Sequence, residues 1–435
     1  MTRLLLLIVV FLQRSAATDM RSFVLTVMNG QQFSCANTTC IPFSSFAVLN
    51  SRRCQLACVN VNQCQAIGFR QSITRCDLFS NIVNQKKNFS LNHDVVTMIM
   101  NVNESLSTGW MLVTSMNTSR ASHTASVLSN GNVLVVGGYG DISIKQPEIY
   151  NPAAGTWTTV ASMNITRKLH AASILINGLV LISGGNNGVN FLTSAVLFNT
   201  SSQTWTNAGN MNTQRGAHTA SVLSGGRVFV CGGDSGSGFL NKAELYDPLT
   251  NTWTPANSMS TIRVDHTASL LANDKVLVVG GYNGGYLNTA ELYDPSSGNW
   301  AMTSKMKYAR QHHRSSVLSD GKVLVSGGYS GTYLNTAELY DPLLGNWTIT
   351  GNMSFARAQH TASVLPSGKV LVTGGFNGNY LNSAELYDPN TGNWTKIDDM
   401  NICRRFHTAS VVSDGKVLVI GGEMNSSYLN SVELY

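Results

Sequence analysis

The chain has 435 residues and a formal net charge of +6, and only 12% of its residues are charged. This length accommodates two domains, one of them large. The positive charge is modest and includes no run of lysine or arginine, which argues against a nucleic-acid-binding protein. The 39 glycines favour a fold with many tight connections between strands.

Residues 1–17 predict a secretory signal peptide. Arg3 gives a positive start, residues 4–12 are apolar, and Ser15, Ala16 and Ala17 form a small-residue cleavage site. The apolar run is shorter than the roughly 20 residues that span a bilayer. No apolar tail for a lipid anchor occurs at the C-terminus. We therefore expect a secreted, extracellular protein with no membrane span.

Acceptor sequences for N-glycosylation agree with this location. They occur throughout the chain, and in a secreted protein we expect several of them to be used. The asparagines are Asn37, Asn88, Asn103, Asn117, Asn164, Asn199, Asn346, Asn352, Asn393 and Asn425.

Residues 18–100 predict a separate cysteine-rich module. An even number of cysteines in a short secreted segment indicates disulfides, because so small a core needs covalent support. Their spacing leaves the pairing open. A zinc site is the alternative, which the oxidising compartment disfavours. The six cysteines are Cys35, Cys40, Cys54, Cys58, Cys64 and Cys76.

The segment SSRRCQLACVNVNQCQAIGFRQSITRCDLFS resembles a PAN/apple module. In that family a cysteine-bearing helix packs on a small sheet, so the resemblance implies an α+β module with Cys54 and Cys58 on one helix face. By the same analogy the disulfides would be Cys54–Cys76, Cys58–Cys64 and Cys35–Cys40.

Residues 104–435 contain seven copies of one pattern, with a period of 47 or 48 residues. Each copy predicts short strands bounded by turn residues, and a sheet of four such strands needs a neighbour on each face. A period of this size favours a propeller. The Gly-Gly pairs begin at residues 137, 184, 232, 280, 327, 374 and 421, and the tryptophans are at residues 110, 157, 205, 253, 300, 347 and 394.

The order Arg-x-x-His, apolar run, Gly-Gly, Tyr-Asp and Trp resembles the kelch motif. The resemblance implies an all-β, seven-bladed kelch-type β-propeller. Because the first feature is Trp110 of a fourth strand and the last is Glu433-Leu434-Tyr435 of a third, we expect an N-terminal strand near residues 109–113 to complete the seventh blade. This closure leaves no free edge between the first and last blades.

The repeated polar residues have two interpretations, a functional cluster or a structural framework. We favour the framework, because a residue present in every blade serves every blade, and histidines spread around an axis cannot meet at one metal. The repeat arginines are expected to pair with repeat glutamates, since unpaired buried charge is costly. Repeat two has Val196 instead of glutamate, so Arg167 needs another partner.

Function is expected where the repeats differ. One variable place is the residue before each histidine, such as Asp265, His312 and Gln359. The other is the loop after each Gly-Gly pair. In an up-and-down blade these connections share one face, and many kelch propellers bind partners there.

Aromatic residues dominate that face on three successive blades. Rings stack on sugars or apolar side chains, and neighbouring amides suit a polar rim. The first ring of each pair, Tyr282, Tyr329 or Phe376, is the stronger candidate for ligand contact. The second rings can instead pack on the next blade; they are Tyr286, Tyr333 and Tyr380.

An enzyme is the alternative, because the repeats are also similar to those of galactose oxidase. That resemblance implies copper held by two histidines and two tyrosines. Only His93 and His312 lie outside the repeat position, neither Cys231 nor Cys403 is placed for a Cys–Tyr crosslink, and no hydrolase motif occurs. We therefore expect no cofactor and no metal, and a non-catalytic recognition or adhesion protein with an extracellular protein or glycan ligand.

Overall fold

The computed structural model describes residues 5–13, 22–29, 59–61, 64–70, 88–92, 95–99, 109–140 and 144–435. These residues form strands, turns and loops, with no α-helix among them. No helix of the described part is long and apolar enough to cross a membrane. The chain divides into two compact units, Met1–Leu106 and Ser107–Tyr435.

The first unit contains one antiparallel six-stranded sheet with the order β3-β4-β1-β2-β6-β5. Its first strand lies within the predicted signal peptide, whose cleavage stays a prediction. The proposed cysteine helix and all predicted cysteines except Cys64 lie outside the described residues. The strands are β1 (Leu5–Gln13), β2 (Ser22–Asn29), β3 (Val59–Val61), β4 (Cys64–Arg70), β5 (Asn88–Asn92) and β6 (Val95–Ile99).

The second unit is a seven-bladed β-propeller of four-stranded antiparallel sheets. The first three blades take their strands in chain order from the inside outwards. Blade 1 has β8 (Thr124–Val127), β9 (Val133–Val136), β10 (Glu148–Asn151) and β11 (Thr156–Thr159). Blade 2 has β12 (Ala171–Ile174), β13 (Val180–Ser183), β14 (Ser194–Asn199) and β15 (Thr204–Asn210). Blade 3 has β16 (Thr219–Val222), β17 (Val228–Cys231), β18 (Ala243–Asp247) and β19 (Thr252–Ala256).

Blades 4 to 6 repeat this arrangement. Blade 4 has β20 (Thr267–Leu270), β21 (Val276–Val279), β22 (Ala290–Asp294) and β23 (Asn299–Met302). Blade 5 has β24 (Arg314–Val317), β25 (Val323–Ser326), β26 (Ala337–Asp341) and β27 (Asn346–Ile349). Blade 6 has β28 (Thr361–Val364), β29 (Val370–Thr373), β30 (Ala384–Asp388) and β31 (Asn393–Lys396).

Blade 7 joins the two ends of the propeller, as the sequence predicts. Its outermost strand is β7 (Met111–Val113), which pairs Leu112 with Glu433. The inner strands of successive blades are neighbours around the whole ring, including those of blades 7 and 1. The other strands of blade 7 are β32 (Thr408–Val411), β33 (Val417–Ile420) and β36 (Val432–Leu434). A small hairpin in the connection from β33 to β36 consists of β34 (Glu423–Met424) and β35 (Ser427–Tyr428).

The hydrophobic cores lie between neighbouring blades. The second strand of each blade is entirely buried, and one cluster joins Phe229 of blade 3 to Val276, Val278 and Tyr293 of blade 4. Each sheet therefore covers the apolar face of the next, which no blade could bury alone.

The Gly-Gly pairs stand where adjacent blades approach most closely. Gly280 and Gly281 have φ values of 61° and 101°. A Cβ on Gly280 would lie 2.6 Å from the carbonyl oxygen of Arg310 in the next blade. Both backbone angle and space therefore require glycine here.

Candidate ligand-binding face

The repeat arginines and glutamates form buried ion pairs, as predicted. Arg263 Nη2 lies 2.7 Å from Glu291 Oε1, and both side chains are fully buried. The same glutamate accepts hydrogen bonds from the backbone N–H groups of Ser260 and Thr261. Equivalent pairs occur in every blade except blade 2. Each pair fixes the connection that enters the blade's inner strand.

Blade 2 shows how the framework accommodates Val196. Arg167 donates to the carbonyl oxygens of Gly184 and Ser194 and to Ser194 Oγ, at 2.9 to 3.3 Å, and Arg263 makes the equivalent hydrogen bonds in addition to its ion pair. Burial lowers the pKa of Arg167 to about 10. The described hydrogen bonds of Arg167 therefore go to neutral oxygen acceptors, and no residue takes the place of the missing carboxylate among them.

The seven repeat histidines are buried and connect neighbouring blades. His313 Nε2 lies 3.0 Å from Thr267 Oγ1 of the preceding blade, and His123 Nε2 lies 3.0 Å from Thr408 Oγ1 across the closure. Burial lowers the pKa of each, to about 3 for His170 and His266. These neutral, spaced histidines are consistent with the structural interpretation.

The seven variable residues before the histidines share one unusual backbone conformation. All have φ between 51° and 58°, the left-handed region that bulky residues rarely adopt. Backbone N–H groups of five of them donate to the carbonyl of the equivalent residue one blade back, as His312 does to Asp265. We call this set the axial ring: Ser122, Leu169, Ala217, Asp265, His312, Gln359 and Phe406.

The axial ring converges on the propeller axis. His312 of blade 5 and Phe406 of blade 7 meet edge to face, with ring centroids 6.3 Å apart, although a whole blade separates them. His312 Nε2 also lies 3.4 Å from Asp265 Oδ2. The ring thus brings side chains of nonadjacent blades together.

The loops after the Gly-Gly pairs lie beside the axial ring. In each blade the residue after the repeat arginine forms an antiparallel bridge with the residue after the Gly-Gly pair, as Val264 does with Tyr282. The two variable places of the sequence therefore form one continuous face.

Seven rings on this face form a chain of contacts that runs from blade 3 to blade 6. Neighbouring centroids are 4.9 to 5.9 Å apart. All seven side chains are half-buried. We call this chain the aromatic arc: Phe239, Tyr282, Tyr286, Tyr329, Tyr333, Phe376 and Tyr380.

In blades 4 and 5 the second ring of the pair contacts the first ring of the next blade. Tyr286 packs edge to face on Tyr329, and Tyr333 does so on Phe376. The packing expected for the second rings is therefore present in these two blades, and each packs on the first ring of the next blade. Each ring nevertheless keeps part of its surface in solvent.

A family model described as the KLHDC2/KLHL20/DRC7 Kelch-repeats domain matches residues 86–264, 122–328 and 258–422. These matches together cover most of the chain. The chain belongs to the kelch-repeat family.

Two further comparisons bear on this kelch propeller. No curated protein matches it. One similar solved structure is a fungal alcohol oxidase of the AA5 family in complex with copper, with a TM-score of 0.62, 20% identity, and 75% of each chain covered. At this identity the likeness shows the shared fold alone.

The oxidase resemblance implies a cluster of copper ligands. Within the described residues of the kelch propeller no three or more histidine, cysteine or acidic side chains are grouped for a metal. His312 lies beside Asp265 and Phe406. Cys231 and Cys403 are free thiols, and burial raises the pKa of Cys231 to about 11.

The axial ring and the loops after the Gly-Gly pairs together form a surface that we call the kelch face. Two arginines on this face were not predicted from the sequence. Arg405 lies over Phe376 and Tyr380, with Cζ 4.6 and 5.1 Å from the ring centroids, and pairs with Glu423 at 2.6 Å. Arg314 donates from Nε to the carbonyl oxygen of His360 at 2.6 Å. Each arginine is exceptional at its position in the repeat. No other blade has an arginine directly after the repeat arginine, and no other blade has one directly after the repeat histidine.

Charge on the kelch face is concentrated around Asp265. Burial raises the pKa of the Asp265 carboxyl, while His312 and Arg314 oppose that rise. Burial lowers the pKa of His312, so this imidazole is neutral near pH 7. The candidate site therefore combines an aromatic surface with the carboxylates of Asp265 and Glu423 and the guanidinium groups of Arg314 and Arg405.

Proposed function

We propose that this protein is a secreted recognition or adhesion protein that binds an extracellular protein or glycan through the kelch face, without catalysis. The aromatic arc carries this proposal. It lies where the repeats differ, it is continuous across blades, and its rings are rigidly packed yet partly exposed. Rigid aromatic surface of this kind stabilises complexes at low cost in conformational entropy.

The signal-like start, the cysteine-rich module and the acceptor asparagines support the extracellular part of the proposal. Asn199 is half-buried, and its side chain closes a turn by accepting from Ser201 and Ser202. Other acceptors of the propeller are exposed and accessible for glycosylation: Asn117, Asn164, Asn346, Asn352, Asn393 and Asn425. Asn88 lies in β5, and Asn37 and Asn103 lie outside the described residues.

A protein and glycan array probed with the mature protein tests the proposal. Binding to any ligand found should weaken when Tyr282, Tyr329 or Phe376 is replaced by alanine. Leu343→Ala is the matched control, because Leu343 is 94% exposed in the β26–β27 turn, away from the arc. Ligand binding that the three ring variants leave unchanged would place the site elsewhere.

Elemental analysis of the secreted protein tests the oxidase alternative separately. Stoichiometric copper would contradict a purely recognition role, whatever the array shows. We expect none, because no three or more histidine, cysteine or acidic side chains of the described residues are grouped to hold a metal ion.

A further inference from the structure

In blades 2, 3 and 7 the residue after the repeat arginine lies against a ring of the preceding blade. In two blades this residue is a cation. Lys168 Nζ of blade 2 lies 3.8 Å from the ring centroid of Tyr139 in blade 1. Arg405 of blade 7 lies over Phe376 and Tyr380 of blade 6. The propeller thus uses one geometry twice to hold a cation on an aromatic ring.

In blade 3 the residue after the repeat arginine also faces a ring of the preceding blade. It is Gly216, and a Cβ there would lie 2.8 Å from Phe191 Cε1 of blade 2. A side chain at this position of blade 3 would therefore meet the ring of Phe191.

The guanidinium of Arg405 also donates a hydrogen bond to a side chain of the axial ring. Arg405 Nη1 donates to Gln359 Oε1 of blade 6 at 3.3 Å. The blade 6 site is therefore two rings, Phe376 and Tyr380, plus one side-chain oxygen at the axial position. Glu423 of blade 7 holds the guanidinium from the other side.

Blade 4 has the equivalent two rings and a carboxylate at the axial position; among the described residues no cation lies over these rings, and the cation near the carboxylate is Arg314 of blade 5. Its rings are Tyr282 and Tyr286, and its axial residue is Asp265, a carboxylate where blade 6 has an amide. The blade 5 residue at the position of Arg405 is the neutral Gln311. No cation–ring contact of the described residues involves Tyr282 or Tyr286.

We infer that Tyr282, Tyr286 and Asp265 form a subsite for the guanidinium or ammonium group of an arginine or lysine in a peptide ligand. This inference rests on the proposed function and specifies its ligand. The ring faces attract the cation, and a carboxylate gives a charge-assisted hydrogen bond that the amide of Gln359 cannot match. In blade 5 the corresponding axial residue is His312, so that blade lacks the carboxylate.

Saturation-transfer NMR with small probes tests the subsite on the intact protein. The probes are N-acetyl-arginine amide, N-acetyl-lysine amide, and N-acetyl-citrulline amide as the neutral isostere of the first. We expect the two cations to bind with dissociation constants on the order of millimolar and citrulline to bind about tenfold more weakly or not at all. Equal binding of arginine and citrulline, or no binding by either cation, would overturn the inference.

Two variants locate the binding. Gln311→Arg should abolish binding of the arginine probe, because the new guanidinium would occupy the subsite as Arg405 occupies blade 6; Leu343→Ala, in the exposed β26–β27 turn, is the control that should leave binding unchanged. Asp265→Asn should weaken binding about tenfold by removing the charge-assisted bond. Thermal unfolding checks that each variant is folded. Unchanged probe binding in Gln311→Arg would contradict the assignment.

The result also separates this inference from the proposed function. If the array yields a neutral glycan whose binding depends on Tyr282 and ignores Asp265→Asn, the cation subsite is wrong and recognition by the kelch face stands. If neither array ligand nor probe depends on the aromatic arc, both are wrong.

Discussion

The ring of Trp110 packs against the ring of Tyr435, with centroids 5.0 Å apart, and so joins the beginning of the propeller to its end. The Trp110 indole N–H also donates to the carbonyl oxygen of Asp398 in blade 6 at 2.9 Å. These contacts fasten β7 into the last blade, in which Leu112 pairs with Glu433.

Replacing Trp110 by alanine should therefore destabilise the propeller strongly. The substitution removes a nearly buried ring from the cluster that contains Leu371 and Val419, and we expect a loss of about 3–5 kcal/mol in the free energy of unfolding. Trp347→Phe is the control, because the Trp347 indole N–H has no partner among the described residues. It should cost less than about 1 kcal/mol in urea denaturation. Equal losses for both variants would show that Trp110 has no special role in closure.

The ion-pair framework predicts opposite effects in blades 4 and 2. Glu291→Ala leaves Arg263 buried without its carboxylate and should cost about 3–5 kcal/mol. Val196→Glu supplies the missing carboxylate to Arg167 at the register where blade 3 has Glu244. It should be more stable in urea denaturation than the neutral isostere Val196→Gln. The reverse order would mean that Arg167 is already fully satisfied by Ser194.

The buried histidines predict acid lability. Their folded-state pKa values lie below the unfolded value of 6.5, so the unfolded chain binds more protons as pH falls. Stability is therefore full above pH 6.5 and is lost as pH falls towards about 3, the folded-state pKa of His170 and His266. Each histidine contributes a slope of about 1.4 kcal/mol per pH unit.

Thermal unfolding between about pH 7.5 and 4.5, roughly the range in which unfolded histidine titrates, measures this slope. His218→Gln should make the dependence shallower, because one titrating group is removed while a polar side chain stays near Ser183. A free energy of unfolding that is flat down to about pH 5 would contradict neutral buried histidines.

Replacing a tyrosine of the kelch face should lower the free energy of unfolding less than replacing a tyrosine of the core. Tyr293 is 2% exposed and stacks on Phe229 with centroids 4.1 Å apart, so Tyr293→Ala should cost about 3–5 kcal/mol. Tyr282 is half-buried and meets Phe239 and Tyr286 at its edges, so Tyr282→Ala should cost only about 1 kcal/mol. Urea denaturation of the two variants checks this difference. A loss at Tyr282 as large as that at Tyr293 would make the arc a packing element and not a binding surface.

Much of the propeller could be predicted from the repeats alone. Seven copies of one motif determined the blade number, and the positions of Trp110 and Glu433 in that motif determined the closure, because each copy is one sheet of fixed strand order. The pairing of Arg263 with Glu291 and the exception at Arg167 also followed, since a buried charge needs a partner wherever it recurs.

The candidate site was predictable only in outline. Comparing the copies located Asp265, His312 and the paired rings, because these residues vary while the framework does not. The left-handed backbone of Leu169 and Phe406 was not predictable, since bulky side chains disfavour it and only the crowded ring of blades imposes it. Arg405 was missed for a related reason: its partners Phe376 and Gln359 belong to another blade.

The sequence by itself therefore determined the number and order of the blades and the residues that pair within each one, because those contacts repeat with the motif. Only the tertiary structure decided which side chains of different blades meet. The contact of His312 with Phe406 across blade 6, and the equivalence of the Tyr282 and Phe376 surroundings, depend on how the blades are arranged around one axis. No pattern along a single repeat encodes that arrangement.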